Sequence, residues 1–249
     1  MSTAATTTPS ARPGTLATLA ALYRLLLRTQ LTVARILGVA ALSSLSILLG
    51  VFSRWDSDPA QAATDAITSY GLALVVPLAT LWLGTSAIGD LVEDRLLVYL
   101  WLKPVPRWQL PAAAVLATAS VLVPLTAVPL AVTALVAGAE EIAPAAFLAA
   151  ALGGLAYAGV FVAAGLWFRR AAWWGLAFVL LWENAVAQLA EGSARFTVVG
   201  WASSILATAP DVEVSLSAGS AAAALVVLPV VTLVGWLAAT VRYRRADVD

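Results

Sequence analysis

Long apolar runs alternate along this chain with short charged stretches. Residues 36–53 carry no charge and end at Arg54-Trp55; runs at 67–89, 110–139, 142–168 and 214–241 follow the same pattern. A sixth run starts at Ala171 and meets Glu183 after twelve uncharged residues. A bilayer core takes about 20 apolar residues to cross as a helix. The pattern therefore predicts an all-α membrane protein with six transmembrane helices. Pro124 and Pro129 fall inside the third run, where proline removes a backbone donor and crowds the preceding turn, so a kink or a tilt is expected there.

Ahead of the first span, Leu16, Leu19, Leu22, Tyr23 and Leu26 recur at helical spacing, and Arg24, Arg28 and Arg35 fall on one opposite stripe. That pattern predicts an amphipathic interfacial helix over 15–32, its arginines towards headgroups. The alternative is that it extends the first span. Residues 1–14 are small and polar, with Pro and Gly among them, and read as a flexible tail; 246–249 read as a second tail. Everything between, 15–245, reads as one domain.

Charge orients the spans. On one side fall Arg12, Arg24, Arg28, Arg35, Arg95, Lys103, Arg107, Arg169, Arg170, Arg242, Arg244 and Arg245; on the other, only Arg54 and Arg195. The positive-inside rule then predicts that both termini are cytoplasmic. Trp55 and Trp201 outside, and Trp167, Trp173 and Trp174 inside, suit interfacial belts. The outer stretch 188–215 has mixed character. Its apolar part, 196–207, is about three helical turns long, which predicts short helices lying on or dipping into the outer leaflet.

Composition narrows the chemistry. The chain is 61% hydrophobic and 11% charged, with a mean hydropathy of +0.92, where a soluble domain carries about 25% charge. Net charge is zero, so nothing points to nucleic acid. With no cysteine and no histidine, thiolate and histidine metal sites, disulfides and His-dependent hydrolysis are excluded. Thirteen of the fourteen basic residues are arginine, which, with the abundant alanine, associates with high-GC bacterial genomes and a bacterial plasma membrane.

The stretch DLVEDRLLVYLWLKPVPRWQL, residues 90–110, is apolar at its centre but too short to span. Asp90, Glu93 and Asp94 precede it and Lys103 closes it, an order that complements a helix dipole. Pro104 and Pro106 stop the helix. The result is a predicted helix of about three turns over 91–103 on the cytoplasmic side. It is apolar on every face, and such a helix is covered on every face. The membrane and the ends of neighbouring spans cover one side, and a cytoplasmic partner protein covers the rest; the alternative is an interfacial helix covered wholly by lipid and the chain's own spans.

These residues resemble the cytoplasmic signature of ABC-2 type transporter permeases. Glu93, Asp94 and Arg95 match a charged cluster, Leu100 and Leu102 an apolar helix, and Pro104, Val105 and Arg107 the turn into the third span. The chain departs from the family pattern at Leu96-Leu97, where Gly-Thr is common, at Pro106, where Ser is, and at Pro111-Ala112, where Gly-Lys is. The resemblance implies a non-enzymatic permease that pairs with a second permease subunit, like or unlike, above two copies of a separate ATPase. It implies ATP and Mg on the ATPase and no cofactor on this chain, which has no phosphate-binding GxxxxGK[ST] loop. It implies ATPase docking through Glu93, Asp94, Arg95, Leu96, Leu97, Leu100, Trp101, Pro104 and Arg107, and export as the direction. Very apolar spans favour a hydrophobic or amphiphilic cargo.

Inside the spans, polar groups are few. Glu183, Asn184 and Gln188 are the candidates for a translocation path, because an acid at membrane depth is costly and faces an interior, a vestibule or a partner such as Arg195. The competing reading is that the fifth span ends early and leaves Glu183 in a wet rim. For the whole chain the competing reading is a membrane anchor or assembly subunit with no transport path. Glu140-Glu141 read as a short outward loop.

Overall fold

The computed structural model describes residues 14–93, 106–168, 170–186, 193–210 and 212–245. Among these the protein is helical throughout, with no strand. We number the α-helices α1 (Thr15–Gln30), α2 (Val33–Ser53), α3 (Pro59–Ala66), α4 (Val76–Glu93), α5 (Gln109–Leu122), α6 (Val128–Ala137), α7 (Ala143–Trp167), α8 (Ala171–Ala177), α9 (Val198–Leu206) and α10 (Ala221–Arg245). Stretches of π-helix join α3 to α4 (Ile67–Val75) and α5 to α6 (Val123–Ala127), and one extends α8 (Phe178–Val186).

Among the described residues, five continuous helical stretches are long and apolar enough to cross a membrane: Val33–Ser53, Pro59–Gly89, Gln109–Ala137, Glu140–Trp167 and Ala221–Arg245. The stretch from Ala171 to Glu183 is apolar but shorter. The second begins eight residues before the expected position, because Asp58 caps it: its carboxylate accepts from Gln61 N at 3.1 Å, and Pro59 follows at the first helical position, where its missing N–H costs nothing. At Pro124 the third stretch does not break. It widens to i→i+5 bonding over Val123–Ala127, which accommodates the residue that cannot donate.

Contacts fix the directions. Val39 of α2 packs with Val121 and Leu122, and Gly50 lies on Thr133, so α2 runs with α5 and α6. Gly71 meets Leu130, and Ile88 clusters with Leu110 and Ala113, so α3 and α4 run against them. Val76 meets Gly154 and Gly84 meets Phe161, so α7 runs with α4. A close backbone approach joins α7 to α10. A Cβ on Gly159 would fall on the backbone of Thr232, and one on Gly235 on the backbone of Gly159. Only hydrogen at both positions lets the two backbones meet. Trp167 Nε1 donates to Ala238 O at 3.3 Å further along, so α7 and α10 point the same way. The chain between them must therefore return to its starting end. The seven residues of α8 and the nine π-helical residues after it make that return, with Gly175 against Phe161.

α1 leans on α5. Leu22 and Leu26 are buried against Leu110, Ala113 and Ala114, while Leu16, expected on the same apolar face, is exposed. Gln109 Nε2 donates to Thr15 O at 3.0 Å, and the buried Gln30 Nε2 to Thr118 Oγ1 at 3.1 Å. α1 thus runs beside the first turns of α5, and α2 takes over alongside α5 and α6 beyond it.

Candidate functional site

The segment after α8 converges on α9. Thr197 caps α9: its backbone is extended, and its hydroxyl accepts from Gly200 N at 3.0 Å. That leaves the N–H groups of Val198 and Val199, two of the four that a helix start cannot satisfy internally. Both point at Glu183. Val198 N donates to Glu183 Oε1 at 3.1 Å and Val199 N to Oε2 at 3.2 Å. The carboxylate is 2% exposed. A negative charge at a helix N-terminus also meets the favourable end of the helix dipole. Arg195 is not its partner; that guanidinium donates through Nε to Ala218 O at 3.2 Å.

Around this cap the side chains are closely fitted. Tyr157 of α7 is 1% exposed, stacks on Phe161 at 5.7 Å between ring centroids, and sets its hydroxyl against the Glu183 carboxylate without completing a hydrogen bond. α9 is buried along its length except at Trp201, whose Nε1 donates to Arg195 O at 2.9 Å. Ser204 Oγ accepts from Ala218 N at 2.8 Å and Gly219 N at 3.2 Å, which draws the approach to α10 onto α9. Gln61 and the Glu213 backbone exchange two hydrogen bonds of 2.9 Å, tying α3 to the same region. α9 therefore sits within the bundle rather than upon it, joined to α7, to the chain leading into α10 and, through Glu183, to the end of the α8 stretch.

A second junction lies at the other end of α10. Arg107 Nη1 donates to Arg244 O at 2.6 Å. Trp236 Nε1 donates to Trp108 O at 3.3 Å, and the two indoles meet edge to face with centroids 6.4 Å apart. The turn at 106–108 is thereby attached to the last two turns and a half of α10.

Of the residues proposed for ATPase docking, Arg107 is exposed at this junction and Glu93 is the last residue of α4. Asp94, Arg95, Leu96, Leu97, Leu100, Trp101 and Pro104 lie outside the described residues. Of the path candidates, Glu183 forms the cap, Asn184 follows it in the same π-helical stretch, and Gln188 lies outside the described residues. Sequence reasoning missed Tyr157 and Thr197. Thr197 carried a signal, a β-branched hydroxyl directly before an apolar helical run; Tyr157 carried none. Among the described residues no group of three or more acidic side chains is placed to hold a metal ion. The chain matches no protein-family model, and no curated protein matches it.

Proposed function

We propose that this chain is the membrane-spanning permease subunit of an ABC transporter of the ABC-2 type, exporting a hydrophobic or amphiphilic compound. The observation that carries this reading is the pairing of the 93–107 signature with a bundle of five long apolar helices, in which the signature falls between the second and third. The return stretch from Ala171 serves as a sixth crossing, completed by α9 dipping in from the outer side. Both termini and the 90–110 connector face the cytoplasm, where a pair of ATPase subunits binds the connector, and a second permease subunit completes the assembly. The attachment of the 106–108 turn to α10 supports a mechanical role, since a push on the connector reaches the last span through Arg107 and Trp108.

The test is co-purification. A carboxylate placed in a desolvated groove costs several kcal/mol unless paired. Leu97→Asp or Leu100→Asp is therefore expected to release an ATPase that co-purifies with the native chain, while the permease still inserts. An ATPase that stays bound to Leu97→Asp, and is still stimulated by it, would place docking elsewhere. With no ATPase co-purifying from native membranes, the reading fails altogether.

A further inference from the structure

Four of the ten tryptophans, at 108, 167, 173 and 174, lie where α7 ends and where α5 and α8 begin, and Trp236 meets Trp108 from within the last turns of α10. Trp167, Phe168, Trp173 and Trp174 are all large exposed aromatics, Trp173 at 72% and Trp174 at 62% exposure. They are held together. The Trp167 bond to Ala238 O sets the end of α7 one turn before Arg242. The Phe168 and Trp174 rings lie 6.0 Å apart, which folds the start of α8 back over the end of α7. Arg170 stands between them in the chain, and Arg245 ends α10. Arg170 and Arg245 are exposed and Arg242 partly so, and among the described residues no carboxylate pairs with any of the three.

We propose that this corner, formed by the end of α7, the start of α8 and the end of α10, is a binding site for an anionic phospholipid. Guanidinium groups bind phosphate in fixed, bidentate geometry and are weakly hydrated for cations, so they suit a headgroup at a wet interface. Indole rings settle at headgroup depth with their apolar bodies towards the acyl chains. Below the arginines α10 exposes Val230, Leu233, Val234, Leu237 and Val241, an apolar strip for those chains to lie on. The three cations, paired with no carboxylate among the described residues, favour a negatively charged headgroup over a zwitterionic one, whose own ammonium they repel. This inference rests on the chain spanning a membrane and is independent of any ATPase.

The probe is phosphatidylglycerol against phosphatidylcholine, read by native mass spectrometry of the full chain released from detergent in an equal mixture of the two. The native chain is expected to retain phosphatidylglycerol preferentially. Each arginine near an anionic surface contributes about 1 kcal/mol, or about fivefold. The triple variant Arg170→Gln, Arg242→Gln, Arg245→Gln is expected to lose most of the preference, whereas Arg24→Gln with Arg28→Gln, on α1, is expected to lose clearly less of it and Arg54→Gln, at the opposite end, to change it less than about twofold. Equal retention of the two lipids by the native chain overturns the proposal, as does a triple variant that keeps the preference or an α1 pair that loses it equally. Should the triple variant fail to insert, quenching of native tryptophan fluorescence decides. In phosphatidylcholine vesicles containing about one-fifth phosphatidylglycerol, bromine on the phosphatidylglycerol chains is expected to quench more per mole than bromine on phosphatidylcholine. Equal quenching means that no selective site exists.

Discussion

Glu183 and Arg107 do the same physical task in opposite settings. Each brings a charge to a helix end whose dipole favours it, the carboxylate to the N–H groups that open α9, the guanidinium to a carbonyl at the close of α10. The carboxylate is buried and uses both oxygens; the guanidinium is exposed and makes its bond in reach of water. Burial separates their worth. Without Glu183, two donors inside the bundle lose their acceptors and water does not replace it. Without Arg107, the Arg244 carbonyl is hydrated at little cost. The position of a charge relative to solvent decides whether it is part of the fold or an adjustable contact on its rim.

The comparison breaks most directly at Glu183→Ala. Each buried donor left unsatisfied costs about 1–3 kcal/mol, so the variant is expected to lose several kcal/mol of stability. Thermal unfolding in detergent and protease cleavage of the segment around α9 both measure it. Glu183→Gln is expected to fall between the native chain and Ala, because its carbonyl still accepts one bond while its NH2 faces the second donor. If the two variants unfold at the native temperature, α9 is held by packing alone and the cap contributes nothing.

Thr197→Val comes next. It keeps shape and loses the hydroxyl that accepts from Gly200 N, a loss of about 1 kcal/mol for an N-cap. Made on the Glu183→Ala background, its cost is expected to shrink, since the two groups hold three adjacent backbone donors of one helix start and neighbours in one network do not add. Full additivity would mean that the two caps act independently.

Arg107→Ala is expected to have a smaller effect on stability, about 1 kcal/mol or less, and a salt-sensitive one. Its larger effect is expected in ATPase stimulation, if the 106–108 turn carries motion to α10. A variant that stays fully coupled removes Arg107 from that route and leaves the Trp108–Trp236 contact as the attachment.

Much of the architecture was legible because lipid imposes length. Runs of about 20 apolar residues mark five helices, and their boundaries fall within a few residues of the observed ones wherever a charge or glycine closes the run, as Arg54 closes α2 and Gly138, with its positive φ of 86°, closes α6. The start at Pro59 was legible too, in Asp58-Pro59, but eight polar and small residues hid it from a hydropathy reading. Glu183 stood out because an acid at depth is costly. Its partners did not, because backbone N–H groups leave no mark in a sequence. The α7–α10 seam was not legible: Gly235 sits alone in its helix, and pairing it with Gly159 needed the fold. The Gln61–Glu213 exchange joins residues 152 apart and has no local signal.

The smallest expected effect sharpens the comparison most. Tyr157→Phe keeps the ring that stacks on Phe161 and removes only the hydroxyl beside Glu183. That hydroxyl is buried and completes no hydrogen bond, so it bears a desolvation cost with no compensating partner. Its removal is expected to leave stability unchanged or to raise it by about 1 kcal/mol. The opposite sign has a definite meaning. A hydrogen bond to a charged group is worth about 1.5–3 kcal/mol, so a loss of that size would show that the hydroxyl donates to the carboxylate and that the cap binds α7 as well as α9. The double variant Tyr157→Phe with Glu183→Gln separates the two cases by thermal unfolding. If the hydroxyl serves the charge, its removal costs less once the charge is gone. If it does not, the increment is the same on either background, and the buried cap consists of two backbone donors and one carboxylate.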